Sequence, residues 1–346
     1  MDKLKLMVLF GGMSEEHPVS IKSARELSKN LDAEKYAPIY VFIGRDGGWR
    51  LVDSPEGDPS GGARVTLPAD RTGRGLVILR DGRFEALPVD AAFPMLHGRF
   101  GEDGAVQGLL ELSGIPYVGC GIAASALSMD KALTYMVAAH AGVRTPRYRV
   151  LEEGGEEGTR GLAYPLFVKP ARSGSSFGVS KVMEAAAFEG ALREARRFGR
   201  KVLVEEAVDG REVGCAVLGS GADLMVGEID LIELKGGFFR IHQEAKPEQG
   251  SENAVFRVPA PIPEEARRLV VDTAKTVYRA LGCRGLARVD IFLTPDGQAV
   301  LGEVNTMPGF TSYSRYPRMM AAAGIPMREV IDRLVDLALR EGGERA

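Results

Sequence analysis

The chain has 346 residues, with 44 Lys or Arg against 47 Asp or Glu and a formal net charge of −3. Its 45% hydrophobic and 26% charged residues suit a soluble globular protein, divided into two or three domains of roughly 100–200 residues each. No basic block exists to neutralise a run of phosphates, which argues against a nucleic-acid partner, and no apolar run reaches the ~20 residues needed to span a bilayer.

Leu4–Phe10 is too short an apolar run for a secretory leader and passes quickly into Gly11-Gly12, so a buried strand is the better expectation. A helix is expected over Val19–Leu31 and a strand over Ile39–Ile43, a βαβ start that predicts a parallel sheet. Asp53–Arg74 is turn-rich and reads as a surface excursion. Ala91–Leu96 is the next strand, His97–Gly104 its loop and Val106–Ser113 a helix, closing a first domain near Gly121. One helix is expected over Ser128–Ala141, stopped at Gly142 and Pro146. Strands at Pro165–Pro170, Val179–Val182 and Val202–Glu206, with a helix over Ala185–Phe198, make a compact second unit. Beyond Glu212 the pattern predicts strands Glu212–Leu218, Leu224–Leu234 and Phe238–Ile241, a polar stretch Gln243–Ala254 and a helix Glu264–Leu281. A hairpin of Gly285–Leu293 and Ala299–Val304 follows, turning at Thr294–Gly297, before a terminal helix. Cys120, Cys215 and Cys283 are widely spaced and fit reduced, buried thiols in the cytosol.

Chemistry concentrates on the hairpin. Residues two apart on a strand share a face, so Arg288 with Asp290, and Glu303 with Asn305, converge if the strands pair in register. Two carboxylates and an amide oxygen are hard donors suited to Mg²⁺ beside phosphate oxygens, and Arg288 can stabilise charge on a transferred phosphoryl group. A solvated hairpin face with an ion pair is the plainer alternative. The small-residue loop Ser173–Gly178 can bring backbone N–H groups close to phosphates, with Lys169 at the preceding strand end in reach. Neither a Walker loop nor a GxGxxG turn is present. The acidic strand end at Glu205 and Glu206, followed by Glu212, can present backbone groups to adenine and a carboxylate to ribose.

Five segments in this order resemble the D-alanine–D-alanine ligase family of the ATP-grasp superfamily. They are Leu9–His17, Leu96–Gly104, Lys169–Gly178, Leu286–Asp290 and Glu303–Ser314. The resemblance covers nearly the whole chain. It implies a three-domain α/β and α+β ligase: an N-terminal parallel-sheet domain over 1–123, a central domain over 124–212 and a C-terminal domain over 213–346. The last would carry the metal site and a mobile loop over 236–254. It further implies ATP and two Mg²⁺ ions (Mn²⁺ in their place), with Asp290, Glu303 and Asn305 as ligands. Lys131 and Lys169 would meet the phosphates, Glu205, Glu206 and Val208 the adenine, and Glu212 the ribose. Glu16 would hold the ammonium of the first D-alanine, with His97 nearby. Arg288 and the Gly309 N–H would form the oxyanion site, and Ser175 and Ser314 would position the second substrate. A homodimer is expected from the family alone.

One departure bears on the substrate. Ordinary members carry a tyrosine-containing loop where this chain reads Arg240-Ile-His242-Gln-Glu-Ala-Lys-Pro. That loop resembles the D-alanine–D-lactate ligases of glycopeptide resistance, as do Cys215-Ala-Val-Leu and Thr311–Pro317. The resemblance makes His242 a catalytic-site residue, with Arg315 and Lys22 adding positive field. Two alternatives stay open: an ordinary D-alanine–D-alanine ligase, and a non-catalytic nucleotide-binding regulator on the same fold.

Overall fold

The computed structural model describes residues 2–152, 159–234 and 254–344. Among these residues the strands form three sheets, met in chain order. The first is built from β1 (Leu4–Gly11), β2 (Tyr36–Ile43), β3 (Trp49–Val52), β4 (Ala63–Thr66), β5 (Gly75–Arg80), β6 (Arg83–Pro88) and β7 (Ala91–Met95), with α1 (His17–Asn30) between the first two strands. Its spatial order is β6-β5-β4-β3-β2-β1-β7. Strand β1 lies parallel to both β2 and β7, whereas β2 through β6 pair antiparallel. The N-terminal sheet is therefore mixed rather than wholly parallel. The segments after β2 return without a crossover helix, so they pair antiparallel. The stretch 53–74 is not only an excursion, since it holds β4.

Strand β1 is buried on both faces. Leu6, Val8 and Phe10 pack with Ala24 and Leu27 of α1, while Met7 and Leu9 face Val106 and Leu110 of α2 (Ala105–Leu112). This is the hydrophobic run expected of a central parallel strand.

The expected helix over 128–141 is two helices, α3 (Ile122–Met129) and α4 (Lys131–His140). They break at Asp130, whose fully buried carboxylate caps α4 through the Ala132 and Leu133 N–H groups at 3.2 and 3.3 Å. It also accepts from Arg172 Nε at 2.8 Å and Lys201 Nζ at 2.9 Å. Burial alone would raise the pKa of this carboxyl, but Lys201 and Arg172 hold it below the usual carboxylate value. The sequence shows an Asp before a helix; only folding brings up the two distant cations.

The second sheet contains β8 (Tyr148–Leu151), β9 (Leu166–Pro170), β10 (Ser180–Val182) and β11 (Val202–Glu206), all antiparallel in the order β10-β9-β11-β8. Helix α5 (Phe188–Arg196) covers it with Phe188, Ala191, Leu192 and Ala195. The third sheet runs β15-β14-β12-β16-β17, with β13 paired to β12. Its strands are β12 (Arg211–Ser220), β13 (Asp223–Val226), β14 (Asp230–Leu234), β15 (Ala254–Arg257), β16 (Gly285–Leu293) and β17 (Ala299–Asn305). Strand β12 crosses the boundary expected at 212/213. The strand expected over 224–234 is split into β13 and β14, and the one expected over 238–241 lies outside the described residues.

Helix α6 (Glu264–Ala280) packs on the third sheet through Val270, Ala274, Val277 and Tyr278. Helices α7 (Arg315–Ala322) and α8 (Met327–Glu344) return to the first sheet. Met319, Met320, Ile331 and Leu334 join the core on the Leu6–Phe10 face of β1, and Tyr36 Oη donates to Asp332 Oδ1 at 2.8 Å.

Asp130→Ala removes a helix cap and leaves Lys201 half-buried without its carboxylate. It should cost about 3 kcal/mol, read as a lowered denaturant midpoint of the wild-type and variant chains.

Candidate active site

The β16–β17 register sets Arg288 opposite Asn305 and Asp290 opposite Glu303, with a bulge just after Asp290. The four side chains meet on one face. Arg288 donates to Asp290 from Nε at 2.9 Å and from Nη2 at 2.8 Å, and Asn305 Nδ2 donates to Asp290 Oδ2 at 3.1 Å. Burial pushes the Glu303 carboxyl up, but Lys131, Arg288 and Lys169 outweigh it and hold the group at about 2. Among the described residues no three His, Cys, Asp or Glu side chains form a metal-holding group. The set here is two carboxylates and the Asn305 amide, chemically suited to a hard cation whose coordination phosphate oxygens complete.

Lys131 ties this face to the small-residue loop. Its Nζ donates to the Ser173 carbonyl at 2.7 Å and stands 3.4 Å from Glu303 Oε2. In that loop Ser175 and Ser176 take left-handed φ values of 48° and 58°, unusual for residues with a Cβ, and such turns gather N–H groups into anion-holding concavities. Ser175 Oγ donates to Glu16 Oε1. A Cβ at Gly174 would lie 2.6 Å from Glu16 Oε2 and one at Gly98 2.7 Å from the same atom, so a side chain at either place would displace the carboxylate from its present position. Burial raises the Glu16 pKa, although the Ser175 hydroxyl opposes the shift.

Lys169 Nζ lies 2.5 Å from Glu205 Oε1, whose other oxygen accepts from Tyr135 Oη at 3.0 Å. Tyr135 Oη also lies 2.8 Å from the Gly302 carbonyl, next to Glu303. The Glu205 side chain thus orients Lys169. Tyr135 was missed in the sequence, although it follows Lys131 by one helical turn and shares its face. The Glu206 carboxylate accepts from Arg147 at 3.0 Å and the Ala163 N–H at 2.9 Å, while Val208 lies in the connector between β11 and β12.

Arg315 is placed otherwise than expected. Its guanidinium is buried at 7% exposure and grips Asp230 from Nε at 2.7 Å and Nη2 at 2.8 Å. Nη1 reaches Glu212 Oε1 at 3.2 Å and Asp290 Oδ1 at 3.1 Å. Three carboxylates thus surround the one guanidinium. Asp230, the partner that holds it, carried no sequence signal. Burial raises the Glu212 carboxyl to about 7, with Arg315 opposing the shift. Lys22 lies exposed on α1. Ser314 Oγ lies 2.6 Å from Thr311 Oγ1, at the start of α7, and a Cβ at Gly309 would come within 2.9 Å of the same oxygen. His242 lies outside the described residues, as does nearly all of the 236–254 loop.

His97 is buried, with Nδ1 2.9 Å from the Met307 carbonyl and Nε2 3.1 Å from Ser23 Oγ. Burial lowers its pKa to about 4. Glu102, quoted in the Leu96–Gly104 motif without a role, accepts from the Gly98 N–H at 2.7 Å and the Met307 N–H at 2.9 Å. Burial and the nearby Glu16 raise its carboxyl to about 8.

A Glu303 carboxyl held low by lysines and an arginine, beside a second carboxylate and a loop of left-handed serines, is the equipment of a protein that moves phosphoryl groups with a divalent ion. The family model described as D-ala D-ala ligase N-terminus matches residues 5–120, and that described as D-ala D-ala ligase C-terminus matches residues 134–336. A Streptomyces coelicolor protein provisionally named a D-alanine–D-lactate ligase is 59% identical over 98% of this chain and 99% of its own. The vancomycin/teicoplanin A-type resistance protein VanA of Enterococcus faecium is 54% identical over 98% of this chain and all of its own length, 100%. The crystal structure of the VanG D-Ala:D-Ser ligase from Enterococcus faecalis superposes with a TM-score of 0.87 at 38% identity, covering 97% of this chain and 100% of that one. The chain belongs to the D-alanine–D-alanine ligase family. Membership implies a ligase that uses ATP, with metal ions, on small-molecule substrates. Among the described residues no helix is long and apolar enough to cross a membrane.

A neutral His97 in the fold and a titrating one in the unfolded chain make stability depend on pH. Its folded pKa is depressed, so this contribution is complete above about 6.5 and is lost as pH falls toward about 4. The loss should reach on the order of 3 kcal/mol. His97→Asn should flatten the stability–pH curve in that window, as followed by denaturant unfolding between pH 4 and 7.

Proposed function

We propose that the protein joins D-alanine to D-lactate through a D-alanyl phosphate, consuming ATP and releasing the depsipeptide D-alanyl-D-lactate for peptidoglycan precursors of glycopeptide-resistant cell walls. The ligase chemistry is supported above all by Lys131, which links the loop over Glu16 to the acidic pair at Glu303. The lactate preference is supported by the names of the D-lactate ligase and VanA relatives, together with the His242 loop. The polypeptide is read as domains 1–123, 124–212 and 213–346, acting as a cytoplasmic homodimer.

Glu16, with Ser175 on its carboxylate, takes the ammonium of the first D-alanine and leaves that substrate's carboxylate toward the phosphate site. Lys131 and Lys169 meet phosphate oxygens, the latter turning from Glu205. The backbones of Glu205, Glu206 and Val208 meet adenine, and Glu212 the ribose. Asp290, Glu303 and Asn305 would hold two Mg²⁺ ions, whose charge would neutralise the phosphoryl oxygens. The D-alanine carboxylate attacks the γ-phosphorus and the bond to ADP breaks. The lactate hydroxyl then attacks the acyl carbon, loses its proton and expels phosphate. Arg288 and the Gly309 N–H face the oxygen that gains charge in that step, and Ser314 positions the second substrate. The loop containing His242 excludes water from the acyl phosphate.

D-Lactate enters as an anion with a neutral nucleophile, whereas D-alanine enters as a zwitterion that must lose a proton before attack. A His242 near its ordinary pKa of about 6.5 is partly cationic at neutral pH. Its charge attracts the lactate carboxylate and disfavours an ammonium beside it.

Product analysis with ATP, Mg²⁺, D-alanine and D-lactate at pH 6, 7.5 and 9 tests this. Depsipeptide should dominate at the two lower values and dipeptide should rise at pH 9. Dipeptide alone at every pH would make the protein an ordinary D-alanine–D-alanine ligase. Glu303→Gln should lower ADP release with both substrates present by at least about 100-fold; a change below tenfold would remove Glu303 from the metal site.

A further inference from the structure

The turn after β17 carries the Gly309 N–H, yet the groups that hold this turn come from the N-terminal part of the chain. Met307 is fixed twice, its N–H donating to Glu102 Oε1 at 2.9 Å and its carbonyl facing His97 Nδ1 at 2.9 Å. Phe310 is fixed by its N–H, which donates to Ser23 Oγ at 3.3 Å. Its ring, fully buried, sits edge-on to Phe93 with centroids 5.7 Å apart. Ser23 itself is at 0% exposure on α1, and its hydroxyl lies 3.1 Å from His97 Nε2.

These distances admit one arrangement of protons. A carbonyl oxygen only accepts, so His97 must carry its proton on Nδ1 and donate to Met307. A neutral ring then has a lone pair on Nε2, which the Ser23 O–H must satisfy. The Ser23 oxygen is left to accept from Phe310. The opposite tautomer would set a bare Nδ1 lone pair against a carbonyl in a buried site. The bonds therefore form a closed path: Phe310 N–H to Ser23, Ser23 to His97, His97 to Met307. Gly309 lies between its two ends.

We propose that Ser23 and His97 act as one positioning unit, held against Met307 by Glu102 from the other side, that fixes the 307–310 turn and so aims the Gly309 N–H at the oxygen gaining charge as the second substrate attacks the acyl phosphate. The unit rests on the ligase assignment above. It makes His97 a support for the oxyanion donor. It also gives Ser23, on a helix remote in sequence from the metal ligands, a part in the acyl-transfer step. A donor held in advance costs no reorganisation during reaction, and loosening its support loses rate without altering nucleotide binding.

The test compares wild type, Ser23→Ala, His97→Asn and the double variant, measuring ADP and ligated product together. Asn can replace the Nδ1–H donor to Met307 but cannot reach Ser23. Ser23→Ala should lower kcat by about 10- to 100-fold and leave the KM for ATP within about twofold. Product formed per ADP should fall by about threefold or more, because a slow second step lets the acyl phosphate escape and hydrolyse in bulk water. The ratio does not depend on the fraction of enzyme correctly folded. The double variant should be no worse than the poorer single one, within about twofold, since both break the same path. A product-to-ADP ratio unchanged in Ser23→Ala, or single effects that simply multiply in the double variant, would overturn the proposal. Should wild type make only dipeptide, the lactate assignment falls while dipeptide per ADP decides the positioning unit in the same way.

Discussion

Two carboxylates side by side, one of them buried, are unfavourable without compensating charge, and the organisation around Asp290 and Glu303 answers that constraint. Arg288 and Arg315 cover Asp290, while Lys131 stands by Glu303. Two of these cations then acquire further partners that draw in other segments. Lys131 brings the Ser173 loop and Arg315 brings Asp230 and Glu212. The nucleotide side and the substrate side are thus joined through the charges that make the acidic pair tolerable. A metal arriving with phosphates would take over part of that compensation, which suits a site that must exchange its charge partners in each cycle.

The same economy appears in the contact between the chain's beginning and its end. The Leu6–Phe10 face of β1 is sealed by α7 and α8, and the Gly98 loop is held to Met307 by Glu102. The loop that closes on Glu16 and the turn that presents Gly309 are consequently fixed to each other, although they are about two hundred positions apart, Glu102 and Met307 being separated by 205.

What was legible in the sequence followed local rules. The β1 run, the β16–β17 hairpin with its Thr294–Gly297 turn, and the i, i+2 pairing of site residues all rest on a period of two within short segments. The misread portions depend on partners from elsewhere. The helix over 128–141 breaks because Lys201 and Arg172 pay for burying Asp130 as a cap. The ion pairs of Arg315 were equally hidden, because the sequence does not show Asp230 folding beneath it. Ser23, Glu102 and Tyr135 occupy ordinary helical or loop positions, and their roles arise only when α1, the Gly98 loop and α4 meet the C-terminal sheet. The mixed character of the first sheet was hidden likewise, since β4 through β6 are short and partly exposed.

The packing of α7 and α8 on β1 has a consequence for how such a chain can change. Cut away near Gly121, the first segment would keep α1 over Leu6, Val8 and Phe10 but lose the rest of that core, which is encoded some three hundred residues later, at Met319, Met320 and Leu334. The N-terminal lobe is therefore not an exchangeable cassette. Grafting one from a relative would bring in a face shaped for another chain's closing helices. Altered choice of second substrate is more readily acquired by point changes within one continuous chain than by recombination between lobes, and inheritance of the whole reading frame becomes the unit on which specificity travels.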